Sequence, residues 1–283
     1  MKNTFGKMAR KLTALMLVML MVLGATGAAM AQEEKSVNIA VTGTMTSLNP
    51  LLMDFTEVVK YASSMAFLPL VELNSELEFV GQLADSITTE DNLTFTIKLN
   101  DKAAWSDGTP VTTKDVLYTF LCNASPEAGN PSLIMYTIVG VGDDGVTESG
   151  ATEIEGIKLI DDKTMTVTTK WEMALGTFMN NFGRYMLILP EHVLGDIPMS
   201  EMQTHEWFLK PTVVSGPYFI NDFDLNHYVH FVANENYWQG APKIKYLNIN
   251  VVQSAQLLAG LQAGEIDLIQ QTTATSCWRI TRA

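Results

Sequence analysis

The sequence predicts an α/β fold, on three observations. Between Asn92 and Leu99, Leu93, Phe95, Ile97 and Leu99 alternate with Thr94, Thr96 and Lys98, the period-two pattern of a strand with one buried face. Thr112 then stands as a helix N-cap with Asp115 three residues on, a capping box ahead of the apolar face Val116, Leu117 and Phe120. Towards the C-terminus, Gln256 to Ala263 places Leu257, Leu258 and Leu261 on one side of a helix. Gly264 supplies its C′ residue, and Glu265 to Ile269 reads as the next strand.

The remaining elements follow in chain order. Ser36 to Val41 is a first strand, with Val37, Ile39 and Val41 on one side, and Thr42 to Pro50 is a polar loop. Glu57 to Leu68 reads as a helix, with Val58, Tyr61, Ala62, Met65 and Leu68 near one face. Leu70 to Leu73 and Glu76 to Val80 are short strands around Asn74-Ser75. Asp107-Gly108 is a turn pair, and Pro110 keeps Thr109 extended. Asn123 to Gly150, with turn signals at Asn130-Pro131 and Asp144-Gly145, reads as surface loop with a short helix around Leu133 to Ile138. Ile154 to Leu159 and Thr164 to Thr169 form a hairpin with one wet face, and Trp171 to Asn181 is helical. Leu187 to Leu189 is a strand stopped by Pro190 ahead of a helix start. Phe219 to Phe223 and His227 to Val232 are a second hairpin, and Ile244 to Val252 is a buried strand.

Composition narrows the function. The chain has 283 residues, 47% of them hydrophobic, room for one large domain or two ordinary ones. Lys2, Lys7, Arg10 and Lys11 all lie in the first 31 residues, which carry no acid. Removing those four cations from the formal −13 leaves −17 on the rest. Such an acidic body repels phosphate and argues against nucleic acid. Met1 to Ala31 reads as a secretory signal: a basic start, an apolar run from Leu12 to Leu23, then the small-x-small site Ala29-Met30-Ala31. The run falls short of the roughly 20 residues that span a bilayer. Gln32 is the expected mature N-terminus, with an uncleaved anchor as the alternative. No cysteine follows the run, so the expected product is a free periplasmic protein and not a lipoprotein. The two cysteines, Cys122 and Cys277, make no disulfide scaffold and no metal spacing.

Lys98-Leu99, Trp105 to Thr112 (WSDGTPVT) and Asp115-Val116, taken together, resemble the signature of the extracytoplasmic solute-binding proteins of peptide ABC transporters, the oligopeptide- and dipeptide-binding proteins of family 5. Val213 to Tyr218 resembles the family's Gly-Thr/Ser-Gly-Pro-Tyr turn, with Val214 where the first glycine stands. Asn234 to Trp238 and Ala263 to Asp267 match further family motifs. Gln82 to Ile87 occupies the place of a Pro-x-Leu-Ala-x-x-Trp motif but lacks the proline and the tryptophan.

The resemblance implies a two-lobed, periplasmic-binding-protein-like fold (type II), incomplete because the second ligand-binding lobe is missing. It implies a signal peptide at 1–31, a first part of lobe I at 32–51, an additional lobe at 52–175, a second part of lobe I at 176–271 and an aberrant tail at 272–283. The match is expected to stop after Gln271, in a truncated product; a natural short relative is the alternative. The implied function is a receptor that captures a peptide by cleft closure and hands it to ABC permease subunits. It would be a monomer when complete, with no catalysis and no cofactor. A non-binding fragment is the alternative, as are relatives that carry nickel chelates, haem or oligosaccharides. In relatives the backbone just before the Ser-Leu-Asn/Asp-Pro ending runs beside the bound peptide as an added strand, which nominates Gly43, Thr44, Met45 and Thr46 as ligand-binding residues. The groups that read the peptide's ends lie mostly in the missing lobe.

Other chemistry finds little support. His227 and His230, three apart on one strand, face opposite ways and cannot share a metal. Ser215 lacks a nucleophile elbow, and no phosphate-cradling glycine loop is present. Asp143-Asp144 and Asp161-Asp162 read as turn acids. Trp105, Trp171, Trp207 and Trp238 are suited to stacking on a sugar, although packing is the simpler role for each.

Overall fold

The computed structural model describes residues 35–54, 56–130 and 132–270. The signal segment and the tail after Gln271, with Cys277, lie outside the described residues. The strands are β1 (Ser36–Val41), β2 (Val71–Leu73), β3 (Phe79–Gly81), β4 (Ala84–Thr89), β5 (Thr94–Leu99), β6 (Ile157–Leu159), β7 (Thr164–Thr168), β8 (Tyr218–Asp224), β9 (Tyr228–Ala233), β10 (Tyr246–Val251) and β11 (Leu268–Ile269). The helices are α1 (Glu57–Ser64), α2 (Thr113–Ala124), α3 (Leu175–Phe178), α4 (Glu191–Leu194) and α5 (Leu257–Ala263).

Two larger sheets organise the chain. The first has strand order β11-β1-β10-β9-β8. β1 runs parallel to β10, Ser36 facing Tyr246 and Val41 facing Val251, and parallel to β11 on its other side. β9 and β8 continue the sheet antiparallel. The second sheet, β4-β5-β7-β6, is wholly antiparallel and formed from the chain between β1 and β10. β2 and β3 pair alone. The cores follow the sheets. Phe95, Ile97, Leu99, Met165 and Val167 bury one face of the second sheet against Val116 and Phe120 of α2. Val41, Val229, Phe231 and Ile249 bury one face of the first against Val58, Val59 and Ala62 of α1.

The strand-turn-helix block folds as its pattern dictates. Thr112 Oγ1 accepts from the Lys114 amide and Asp115 Oδ2 from the Thr112 amide at 2.7 Å, so the capping box forms. Gly108 has φ +89°, which the turn needs. Gly264 closes α5 in the left-handed region with φ 74°.

Several expectations need correction. α1 ends at Ser64, four residues before Leu68, because Leu68 precedes Pro69 and the pre-proline residue disfavours helix. β4 is a strand that its sparse apolar pattern, Ala84 and Ile87, does not announce. The stretch 123–150 is not mere surface loop: α2 runs on to Ala124, Leu133, Met135, Ile138 and Val141 are core residues, and the expected helix around 133–138 is a 3-10 turn at Met135–Thr137. Trp171 to Met173 stays outside the helix, the Met173 amide donating to Asn92 O, so α3 starts at Leu175 and continues as a π-helical turn to Arg184. Leu187 makes only an isolated bridge to Pro69, where proline has no amide to extend a ladder. β10 is half-buried apart from Ile249, since its other face carries Asn248 and Asn250. His227 lies in the turn before β9 and is not a strand residue.

Candidate ligand-binding site at the carboxyl end of the first sheet

The parallel strands β1, β10 and β11 all end on one side of the first sheet, and the antiparallel hairpin turn at Leu225 to His227 opens on that same side. Four backbone bonds hold these loops to the sheet and to one another. Val252 N–H donates to Val41 O, Gln270 N–H to Ala40 O, Val251 N–H to His227 O and Met45 N–H to Leu225 O, at 2.7 to 3.1 Å. Loops beyond the carboxyl ends of parallel strands are the usual place for a ligand in open α/β sheets.

The four nominated residues sit here, in two different settings. Met45 points inward, 3% exposed, against the core that contains Val58 and Phe231. Gly43, Thr44 and Thr46 are exposed. A Cβ at Gly43 would only touch Val58 Cγ2 at 3.7 Å, so the fold itself does not require glycine there.

Two residues that the sequence reading passed over join the loop. Asp54 Oδ2 accepts from Thr46 Oγ1 at 3.0 Å, and Asp54 Oδ1 accepts from the amide and hydroxyl of Thr56 at 3.1 and 2.9 Å. Thr56 is the N-cap of α1, yet its hydroxyl is turned to Asp54 instead of capping. Partial burial alone would push the Asp54 carboxyl up; the Thr56 amide, the Thr56 hydroxyl and the Thr46 hydroxyl outweigh it and hold it below the ordinary carboxylate range. The Asp-x-Thr spacing is a readable turn signal in the sequence.

Beneath the loop, α1 is fixed by charge. Lys60, fully buried, pairs with Glu72 of β2, and Arg184 Nε donates to the same carboxylate at 2.5 Å while its Nη1 donates to Tyr185 Oη at 2.9 Å. Burial pushes the Glu72 carboxyl up, but Lys60, the Leu73 amide and Arg184 more than reverse it, and it stays ionised below the usual range.

Among the described residues, concavities lie on both faces at the sheet end. One, of about 610 Å³, lies between α5 and the face bearing Asn250, with Gly260, Glu265 and Ile266 in its walls. The other, of about 160 Å³, lies on the opposite face beside Ser47, Leu48 and Leu225.

The remaining candidates disperse. Trp105 is 1% exposed in the second core, Trp207 packs on Phe67 with ring centroids 5.8 Å apart, and Trp171 is half exposed. His227 pairs with Asp224 and His230 with Asp222, each at 3.0 Å. Ser215 Oγ accepts from the Leu68 amide, a structural bond. Cys122 is buried, which pushes its thiol up to about 12.

This mixed sheet, with a long insertion between its first strand and the strand it pairs with, defines a binding-protein fold. It is similar to the oligopeptide-binding protein AppA from Bacillus subtilis in complex with a nonapeptide, at TM-score 0.70 and 22% identity over 88% of this chain and 46% of that one. It is likewise similar to lactococcal OppA in its closed conformation with an endogenous peptide, at TM-score 0.73, 23% identity, 88% and 48%. The chain belongs to the bacterial extracellular solute-binding proteins, family 5, whose middle-region model matches residues 78–281. That match runs past Gln271, where the sequence reading expected it to stop. A putative ABC transporter peptide-binding protein of Brucella ovis is 30% identical over 225 residues, 78% of this chain and 38% of that relative. The chain thus spans well under half the length of the relative.

Proposed function

We propose that this chain takes part in a peptide receptor of an ABC importer, and that the loop Gly43 to Thr46 with Asp54 is the platform on which an extended peptide lies. The observation that carries the reading is the loop's construction. Met45 anchors it through both side chain and amide, while its neighbours stay open at the carboxyl end of the sheet. A peptide backbone laid along such a loop gains main-chain hydrogen bonds without a side-chain requirement. Asp54, ionised at the loop's edge, is placed to meet an ammonium group or a basic side chain of the ligand.

The strands sort as the lobes proposed from the sequence divide them, but α1 packs on the core of the first sheet, and Phe178 and Phe182 on that of the second, across the proposed boundaries at 51/52 and 175/176. β1 and β8 to β11 share one sheet, and β2 to β7 lie in others. Family membership supports a role in binding without turnover, an extracytoplasmic location and permease subunits as partners. Titration of the protein with synthetic peptides of two to nine residues, followed by tryptophan fluorescence, tests the reading. Saturable binding with the peptide recovered intact is expected. Binding of none of them, or recovery of cleaved peptide, would refute it.

A further inference from the structure

The smaller cavity is built by three separate stretches of chain, 47–52, 203–209 and 223–225. Leu48, Phe208, Phe223 and Leu225 form its apolar walls. At its mouth Leu52 and Leu209 leave apolar surface in water, 41% and 61% exposed. At about 160 Å³ it is too small for a whole ligand, whose pockets run to roughly 300–1,000 Å³, and large enough for one side chain. It is also continuous with the proposed platform. Ser47 follows Thr46 directly, and Leu225, whose carbonyl holds the Met45 amide, is part of the wall. His205 adds a polar group. Its Nδ1 accepts from the Trp207 amide at 3.2 Å, so the neutral ring carries its proton on Nε2 and offers a donor.

We propose that this cavity is a subsite for one aliphatic side chain of a peptide ligand, of leucine or valine size, with His205 donating to a carbonyl oxygen of the same ligand residue. The proposal rests on reading the loop Gly43 to Thr46 as the peptide platform. The committed occupant is a ligand side chain because the cavity opens beside that platform, and because covering Leu52 and Leu209 removes apolar surface from water. Burying such a side chain favours a leucine peptide over its alanine counterpart by about tenfold or more.

The test uses two probes. Protein carrying ¹³C-methyl leucine is titrated with N-acetyl-leucinamide and, separately, with N-acetyl-glycinamide. The methyl signals of Leu48, Leu209 and Leu225 are expected to shift with the first and not with the second. Thr204→Trp, at an exposed position on the cavity wall, is expected to abolish the shifts with its unfolding midpoint unchanged. Equal shifts with both probes, shifts that survive Thr204→Trp, or shifts produced by protein concentration alone (a second copy covering the leucines) would overturn the subsite. Ala-Leu-Ala against Ala-Ala-Ala then tests the platform. Response to the leucinamide with no binding of any peptide would overturn the receptor reading alone; peptide binding with no response to the leucinamide would overturn the subsite alone.

Discussion

The Met45 amide donates to the Leu225 carbonyl across 3.1 Å, tying the loop after the first strand to a hairpin turn 180 residues further along the chain. With the Met45 side chain buried below it, the loop has little freedom to move with its exposed members. A platform held in this way loses little entropy when a peptide settles on it, which is how preorganisation raises affinity.

Gly43 and Met45 therefore separate binding from stability. Gly43→Ala adds a methyl that meets only Val58 at van der Waals distance, so unfolding in urea should move by less than about 0.5 kcal/mol. Peptide affinity should fall at least tenfold if the ligand backbone lies against that position. Met45→Ala opens a core cavity and should cost about 2–4 kcal/mol of stability. Calorimetric titration beside urea unfolding reads both.

Asp54→Asn keeps an acceptor oxygen for Thr56, offers an amide donor to the Thr46 hydroxyl where the second carboxylate oxygen stood, and removes the charge. Peptides with a free amino terminus or lysine should bind several-fold more weakly, and acetylated neutral peptides should bind as before. The difference should shrink in high salt, because the site is exposed and screened. Equal losses for both peptide sets would rule out the charge reading.

Glu72 stands between Lys60 and Arg184. Glu72→Gln leaves two buried cations facing a neutral amide and should cost about 3 kcal/mol. The folded carboxyl titrates below its ordinary value, so its contribution is complete above about pH 4.3 and is lost as pH falls through the folded value. Wild-type stability should accordingly drop on acidification through that range. The Glu72→Gln protein should show a shallower fall, measured as the urea midpoint against pH.

Gly216 and Gly108 both stand at bends of the backbone, yet their alanine variants should differ. A Cβ at Gly216 would collide with the Met65 carbonyl oxygen, where the Ser215 and Gly216 amides bond to Ala66 O. Gly216→Ala should fail to fold or lose most of its stability, because backbone on both sides leaves no room to yield. Gly108 has nothing within 4 Å, so Gly108→Ala pays only for its φ of +89°, about 1–2 kcal/mol. Thermal unfolding of the two variants distinguishes collision from strain.

What could be read from the sequence was what depends on neighbours along the chain. The capping box at Thr112 and Asp115, the C′ glycine at 264 and the alternation of Phe95, Ile97 and Leu99 are local, and they formed as read. What failed depends on distant partners. Asn130 is 4% exposed because its amide donates to Met53 O, a bond that composition alone presents as a polar loop residue. The early end of α1 has a local signal as well, in Pro69. At the candidate site, the loop after β1 could be nominated from its motif, but the inward turn of Met45 and the recruitment of Asp54 could not. Both depend on how α1 and the Leu225 turn come to rest against the sheet.

The pairing of Ser36 with Tyr246 has a consequence in time. At ordinary synthesis rates of about 5–20 residues per second, roughly 10–40 s separate the appearance of β1 from that of its partner. The antiparallel sheet between them closes over short loops and is free to fold first. β1 meanwhile presents an unpaired edge with apolar residues, a template for mispairing. A holdase that shields this strand should raise the yield of folded protein, and slowing synthesis without one should lower it.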